Sequence, residues 1–133
     1  MDWQTANQEI CVLLQIKTVT GVTNLDDILK VKGVEGIFID PADLSASMGY
    51  IENSGHPEVQ GVIENCISRI IATGKAAGIL MGDKELAKHY IKCDALFVGV
   101  GTDTGLLLES SVSLAATFKP SLAKAKSNRS AVY

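Results

Sequence analysis

With 133 residues, the chain has room for one domain, spanning 1–133, and is long enough to bury a real hydrophobic core. Apolar residues make up 47% and charged residues 20%, an ordinary balance for a globular α/β protein, and no apolar run approaches the ~20 residues that span a bilayer. A net charge of −3 argues against the basic face that phosphate backbones require, so neither nucleic acid nor a membrane is an expected partner.

In chain order, the opening segment MDWQTANQEI has neither a basic lead nor an apolar centre, which predicts no secretory leader. Cys11–Ile16 (CVLLQI) is a continuous apolar run of the kind seen in parallel strands buried on both faces. Val22–Lys30 then repeats apolar residues at helical spacing, at Val22, Leu25, Ile28 and Leu29. Gly36–Asp40 (GIFID) reads as the second strand, with Gly33 and Gly36 bracketing the turn into it, and a polar, glycine-punctuated loop follows. Pro57 suits the first position of a helix reaching Thr73, with His56 before it at the cap. Val59, Val62, Ile63, Cys66, Ile67, Ile70 and Ile71 give that helix a wide apolar face, and Gly74 closes it.

Ala76–Leu80 (AAGIL) is the third strand. Asp83 caps a helix through Lys92, with Leu86, Ala87, Tyr90 and Ile91 inward. Ala95–Gly101 (ALFVGVG) is the fourth strand, after which Thr102 or Asp103 caps a last helix that Pro120 ends. In that helix Leu106, Leu107, Val112, Leu114, Ala115 and Phe118 can pack. Beyond Glu109 the chain has no acidic side chain but keeps Lys119, Lys124, Lys126 and Arg129, which reads as a solvated tail. Cys11, Cys66 and Cys93 form no C-x-x-C pair and fit neither a disulfide framework nor a zinc site; they read as reduced, buried thiols of a cytoplasmic protein.

Four parallel strands alternating with four helices predict an α/β fold with right-handed crossovers. Four such units are half of a TIM (β/α)8 barrel, in which chemistry gathers at the carboxyl ends of the strands. Two unpaired strand edges and an uncovered interior face come with that architecture.

Three stretches carry a resemblance. They are GIFIDPADLSASMG (36–49), TGKAAGIL (73–80) and FVGVGTDTGLL (97–107). Together they resemble the metal-dependent pyruvate aldolases of the HpcH/HpaI family, whose first motif reads G-[IV]-F-I-G-P-A-D-L-S-A-S-[LM]-G. The wording is nearest the 2-keto-3-deoxy-L-rhamnonate aldolase branch. The resemblance runs from Cys11 to Lys119 and implies strands five to eight, the C-terminal half of the barrel, with the last helix exchanged with a neighbouring subunit. It also implies reversible aldol cleavage of a 2-keto-3-deoxy sugar acid to pyruvate plus an aldehyde. The small-molecule partner would be a 2-oxo acid, chelated by Mg²⁺, Mn²⁺ or Co²⁺ acting as Lewis acid.

By that resemblance Asp43 is a metal ligand, and the backbone N–H groups of Ala42 and Asp43 face the pyruvate carboxylate. Pro41, Ala42 and Leu106 stand at substrate-binding positions. Gln15 matches a glutamine that contacts ligand or orients a water on the metal. The residues alone also allow a loop or cap aspartate at Asp43 and a buried structural amide at Gln15.

Two positions depart from the family. Lys17 stands where it carries its second metal ligand, a glutamate, and an ammonium cannot ligate a cation. Lys17 either sits in the metal's place and pairs with Asp43, or serves as a Schiff-base nucleophile. Asp40 replaces a glycine that lets the backbone approach substrate. It either forms a substitute metal pair with Asp43, points into the barrel interior, or marks decay of the site. His56 and His89 stand away from the family's base histidine, which belongs with a substrate-binding arginine to the first half of the barrel. The expected function is therefore a carbon–carbon lyase, impaired in this chain. The alternative is a non-catalytic assembly subunit or a decayed fragment. Either would pair as a homo-oligomer or with a chain supplying strands one to four.

Overall fold

The fold is a parallel sheet laid down in strict sequence order, seen in a computed structural model that describes residues 4–119. A short helix α1 (Ala6–Glu9) leads into β1 (Leu13–Ile16), followed by α2 (Val19–Thr23), α3 (Leu25–Leu29) and β2 (Gly36–Ile39). Next come α4 (Pro41–Ser47), α5 (Pro57–Ala72), β3 (Ala76–Leu80), α6 (Lys84–Lys92), β4 (Phe97–Gly99) and α7 (Asp103–Phe118). The strands pair in parallel in the order β1-β2-β3-β4, with Gln15 opposite Phe38, Phe38 opposite Gly78 and Gly78 opposite Phe97.

Alternation of side chains sorts this register into two faces. Ile16, Ile37, Ile39, Ala77 and Ile79 lie on one face and are buried, packed with Val59, Ile63, Cys66, Ile67 and Ile70 of α5. The opposite face carries Gln15, Phe38, Gly78 and Phe97. Gly78 is needed there. A Cβ on it would stand 2.8 Å from the Phe38 ring and 3.0 Å from the Phe97 carbonyl oxygen. Its absence lets the two rings meet with centroids 5.6 Å apart.

The expected caps are in place: the side chains of His56, Asp83 and Thr102 accept first-turn N–H groups of α5, α6 and α7, and Gly74 adopts a φ of 77° just beyond α5. Tyr90 is fully buried and donates to the Gln60 side-chain carbonyl at 2.5 Å, and burial raises its pKa.

Several local expectations are corrected. The helix expected over Val22–Lys30 begins earlier and breaks at Asn24 into α2 and α3; the β-branched, glycine-containing VTGVT is a poor helix former. The polar loop after β2 is instead helical, because Asp40 caps α4 and Pro41 occupies its first turn. The first strand is not buried on both faces: Leu13, Leu14 and Gln15 are exposed, since β1 is a sheet edge. The fourth strand is three residues, Phe97–Gly99. Ile91 faces solvent, and Cys11 is exposed rather than buried. No residue of α7 is buried, so Leu106, Leu107, Leu114 and Phe118 find no core among the described residues. Pro120 and the tail residues Lys124, Lys126 and Arg129 lie outside the described residues, while Lys119 is exposed at the end of α7. No described helix is long and apolar enough to cross a membrane.

Replacing Ile63 by alanine, where burial is complete, is expected to lower unfolding free energy by about 2–5 kcal/mol. The same change at exposed Ile91 should stay within about 0.5 kcal/mol. Urea denaturation of both variants checks the contrast.

Candidate functional site

The polar cluster forms where β1 and β2 end. Parallel pairing brings the two carboxyl ends level: the Asp40 N–H donates to the Ile16 carbonyl at 3.0 Å, just as each strand gives way to its loop. Gln15 is the penultimate residue of β1, Lys17 follows that strand, and Asp40 follows β2. The extended backbone at Asp40 then turns into α4. On the far side of α4, the Ser47 hydroxyl accepts the Val19 N–H at 3.1 Å, tying the helix to α2.

Every charge in the cluster has a partner. One carboxylate oxygen of Asp40 accepts the backbone N–H groups of Ala42 and Asp43, each at 3.2 Å. The other accepts from the Gln15 side-chain amide at 3.3 Å. The Lys17 ammonium lies 3.1 Å from the Asp43 carboxylate, with both side chains about half exposed, at 52% and 54%. A pair so open to water contributes roughly 0–1 kcal/mol, so its importance is the position it fills rather than the stability it adds. Beside the cluster lies a cleft of about 140 Å³ lined by Asp40, Pro41, Ala42, Ser54, Leu80 and Met81.

Sequence expectations map onto this geometry unevenly. Gln15, Lys17, Asp40 and Asp43 come together, and Pro41 and Ala42 line the cleft. Of the two readings of Lys17, the structure shows the ion pair with Asp43. The N–H groups of Ala42 and Asp43, expected to face a substrate carboxylate, are taken instead by the carboxylate of Asp40. Asp40 thus caps a helix, and Gln15 is an exposed amide rather than a buried structural one. Leu106, exposed on the first turn of α7, is not among the cleft residues. His56 caps α5 and stacks on Tyr50 with centroids 3.8 Å apart, while His89 pairs with Glu64 at 2.8 Å. Sequence reading missed Ser54, Leu80 and Met81. Leu80 closes β3, so the strand-end rule alone would have flagged it.

Comparison with known proteins sets this cluster in context. The sequence profile of the HpcH/HpaI aldolase/citrate lyase family matches residues 2–110. The chain is 52% identical over 132 residues to the 4-hydroxy-2-oxo-heptane-1,7-dioate aldolase of Shigella flexneri, covering 98% of this chain and 49% of that protein. It is 51% identical over 128 residues to the hydroxypyruvate/pyruvate aldolase of Pseudomonas aeruginosa, covering 96% and 47%. The crystal structure of an HpcH/HpaI aldolase/citrate lyase family protein from Burkholderia cenocepacia J2315 superposes with a TM-score of 0.81 at 29% identity, over 87% of this chain and 45% of that one. The HpcH/HpaI aldolase of Desulfitobacterium hafniense DCB-2 also gives 0.81, at 27% identity over 90% and 48%. The chain spans about half the length of the curated relatives it matches.

Asp40→Ala should cost about 0.5–2 kcal/mol as the loss of a helix cap. It should also speed amide exchange at Ala42 and Asp43, whose N–H groups lose their acceptor. Denaturation and amide-resolved exchange measure the two effects separately.

Proposed function

The chain belongs to the HpcH/HpaI aldolase/citrate lyase family, and we propose that it carries part of a pyruvate-aldolase 2-oxo-acid site at the carboxyl ends of β1 and β2. The substrate class would be a 4-hydroxy-2-oxo acid. That class includes both the 2-keto-3-deoxy sugar acids and the heptanedioate for which the Shigella relative is named. Aldol cleavage of such an acid yields pyruvate and an aldehyde. The observation that supports a reduced activity is the Lys17–Asp43 ion pair.

A divalent ion does not fit the residues present. An ammonium stands 3.1 Å from the aspartate that the resemblance assigns to the metal, and a like charge repels an incoming cation. Asp40 is engaged by three donors. Among the described residues no group of three or more His, Cys, Asp or Glu side chains could hold a metal ion.

What remains for a 2-oxo acid are the donors of Lys17 and Gln15 and the apolar walls Pro41, Leu80 and Met81. A single ammonium can hydrogen-bond an oxo or carboxylate oxygen. At equal distance it attracts a developing enolate half as strongly as a dication would, and it cannot chelate two oxygens at once. On this reading the chain alone is a weak lyase or an inactive one. A non-catalytic assembly role is the second reading, favoured by the exposed apolar face of α7.

Pyruvate release from 4-hydroxy-2-oxo-heptane-1,7-dioate, assayed beside the Shigella enzyme, is expected to be slower by on the order of 10³-fold or more. Mn²⁺ should not change it, and Mn²⁺-stimulated release at the relative's rate would overturn the reading. The double variant Lys17→Glu, Asp40→Gly should gain Mn²⁺ binding that calorimetry does not find in the parent. No gain would refute the placement of these residues at one site.

A further inference from the structure

The cleft at the carboxyl ends of β2 and β3 is walled differently from the polar cluster beside it. Pro41, Ala42, Leu80 and Met81 line it, with Asp40 and Ser54 as the polar members. Its volume of about 140 Å³ suits a fragment of roughly four or five heavy atoms rather than a whole ligand. No lining residue is basic, and Asp40 is the ionisable one. Its carboxylate is held by neutral donors, two backbone N–H groups and the Gln15 amide, so the negative charge stays at the wall. The Lys17 ammonium is already matched by Asp43.

Ser54 is fixed from behind. The Gln60 side-chain amide donates to the Ser54 carbonyl at 2.7 Å, and the Gln60 side-chain oxygen accepts the hydroxyl of buried Tyr90 at 2.5 Å. A backbone carbonyl can only accept, which settles the direction of the Gln60 amide and makes Tyr90 the donor. The His56 N–H closes the turn around Ser54 by donating to the Asn53 carbonyl at 3.1 Å. Among the described residues, the Ser54 hydroxyl itself has no bonding partner.

We propose that this cleft receives the uncharged, hydroxyl-bearing tail of a 4-hydroxy-2-oxo acid and disfavours a tail that ends in a second carboxylate. The inference rests on the 2-oxo-acid site proposed above. The Ser54 hydroxyl bonds a hydroxyl of the tail, while Pro41, Leu80 and Met81 cover its carbons. Asp40 makes the selection. A carboxylate entering the cleft sheds water, meets a like charge and finds no cation on the walls to replace what it lost. The tails of 2-keto-3-deoxy-L-rhamnonate and 4-hydroxy-2-oxo-heptane-1,7-dioate are similar in size, so charge rather than volume separates them. A glycine at position 40, as in the resembled motif, would bring no such charge.

The test titrates the isotope-labelled, full 133-residue chain with pyruvate and with each of those two acids, followed by NMR. All three should shift the amides of Gln15 and Lys17, and the rhamnonate alone should also shift Ser54 and Met81. The diacid should bind more weakly than the rhamnonate by about tenfold. Asp40→Asn keeps a capping side chain and should close that gap. Ser54→Ala should weaken the rhamnonate by about 3- to 10-fold more than it weakens pyruvate. A diacid bound as tightly as the rhamnonate, or a gap that survives Asp40→Asn, overturns the proposal while shifts at Gln15 and Lys17 keep the 2-oxo-acid site standing. No shift at Gln15 or Lys17 with any of the three removes that site, and the proposal with it. Should Asp40→Asn not fold, the gap in the parent at rising salt decides, because screening closes an electrostatic gap and leaves a steric one.

Discussion

A parallel strand can follow its neighbour only through a crossover, and crossovers of one hand in unbroken strand order always arrive on the same side of the sheet. Here the order β1-β2-β3-β4 never reverses, so the helices packed on the sheet share one face, and no described helix covers the other. The buried seam of Ile37, Ile39 and Ile79 against Val59, Ile63, Cys66, Ile67 and Ile70 is the result on the covered side. Leu13 and Phe97, exposed among the described residues, are the result on the other. The same constraint gathers all four carboxyl ends at one rim, which is why a polar cluster can form there from residues far apart in sequence.

Within that rim, on the function proposed, the protein's own side chains stand in the places of groups that the family resemblance assigns to bound species. Lys17 sets a cation on Asp43, and Asp40 sets a carboxylate on the N–H groups of Ala42 and Asp43. Each replacement is local. One follows from a single residue after β1, the other from a single residue after β2, and the backbone around them keeps the strand–helix turn. Covalent attachment makes such internal partners persistent competitors for any ligand of like charge, because they need no association step.

Much of this was legible in the sequence. The long apolar face of α5, its entry at Pro57 and its stop at Gly74 follow from periodicity and from residues with restricted or left-handed backbone. The pairing of Lys17 with Asp43 was also readable, since two residues at neighbouring strand ends with opposite charge have few other partners. The capping role of Asp40 was not, because Asp-Pro after a strand signals a turn as readily as a helix start. The exposure of β1 was missed for a different reason: apolar content measures what a strand could bury, and only topology decides whether a neighbour exists to bury it. The bare face of α7 poses the same problem. Its sequence looks like a core helix, yet among the described residues nothing covers it.

Whether an ammonium has displaced a divalent cation is the claim on which the functional reading turns. Adding Mn²⁺ to isotope-labelled parent protein and watching Gln15, Asp40 and Asp43 by NMR tests it directly, since a bound paramagnetic ion broadens nearby resonances. The prediction is that these three broaden no more than exposed acidic residues elsewhere, such as Glu85 and Asp27. Selective loss of their signals at low Mn²⁺ would place a metal on Asp43 and contradict the account.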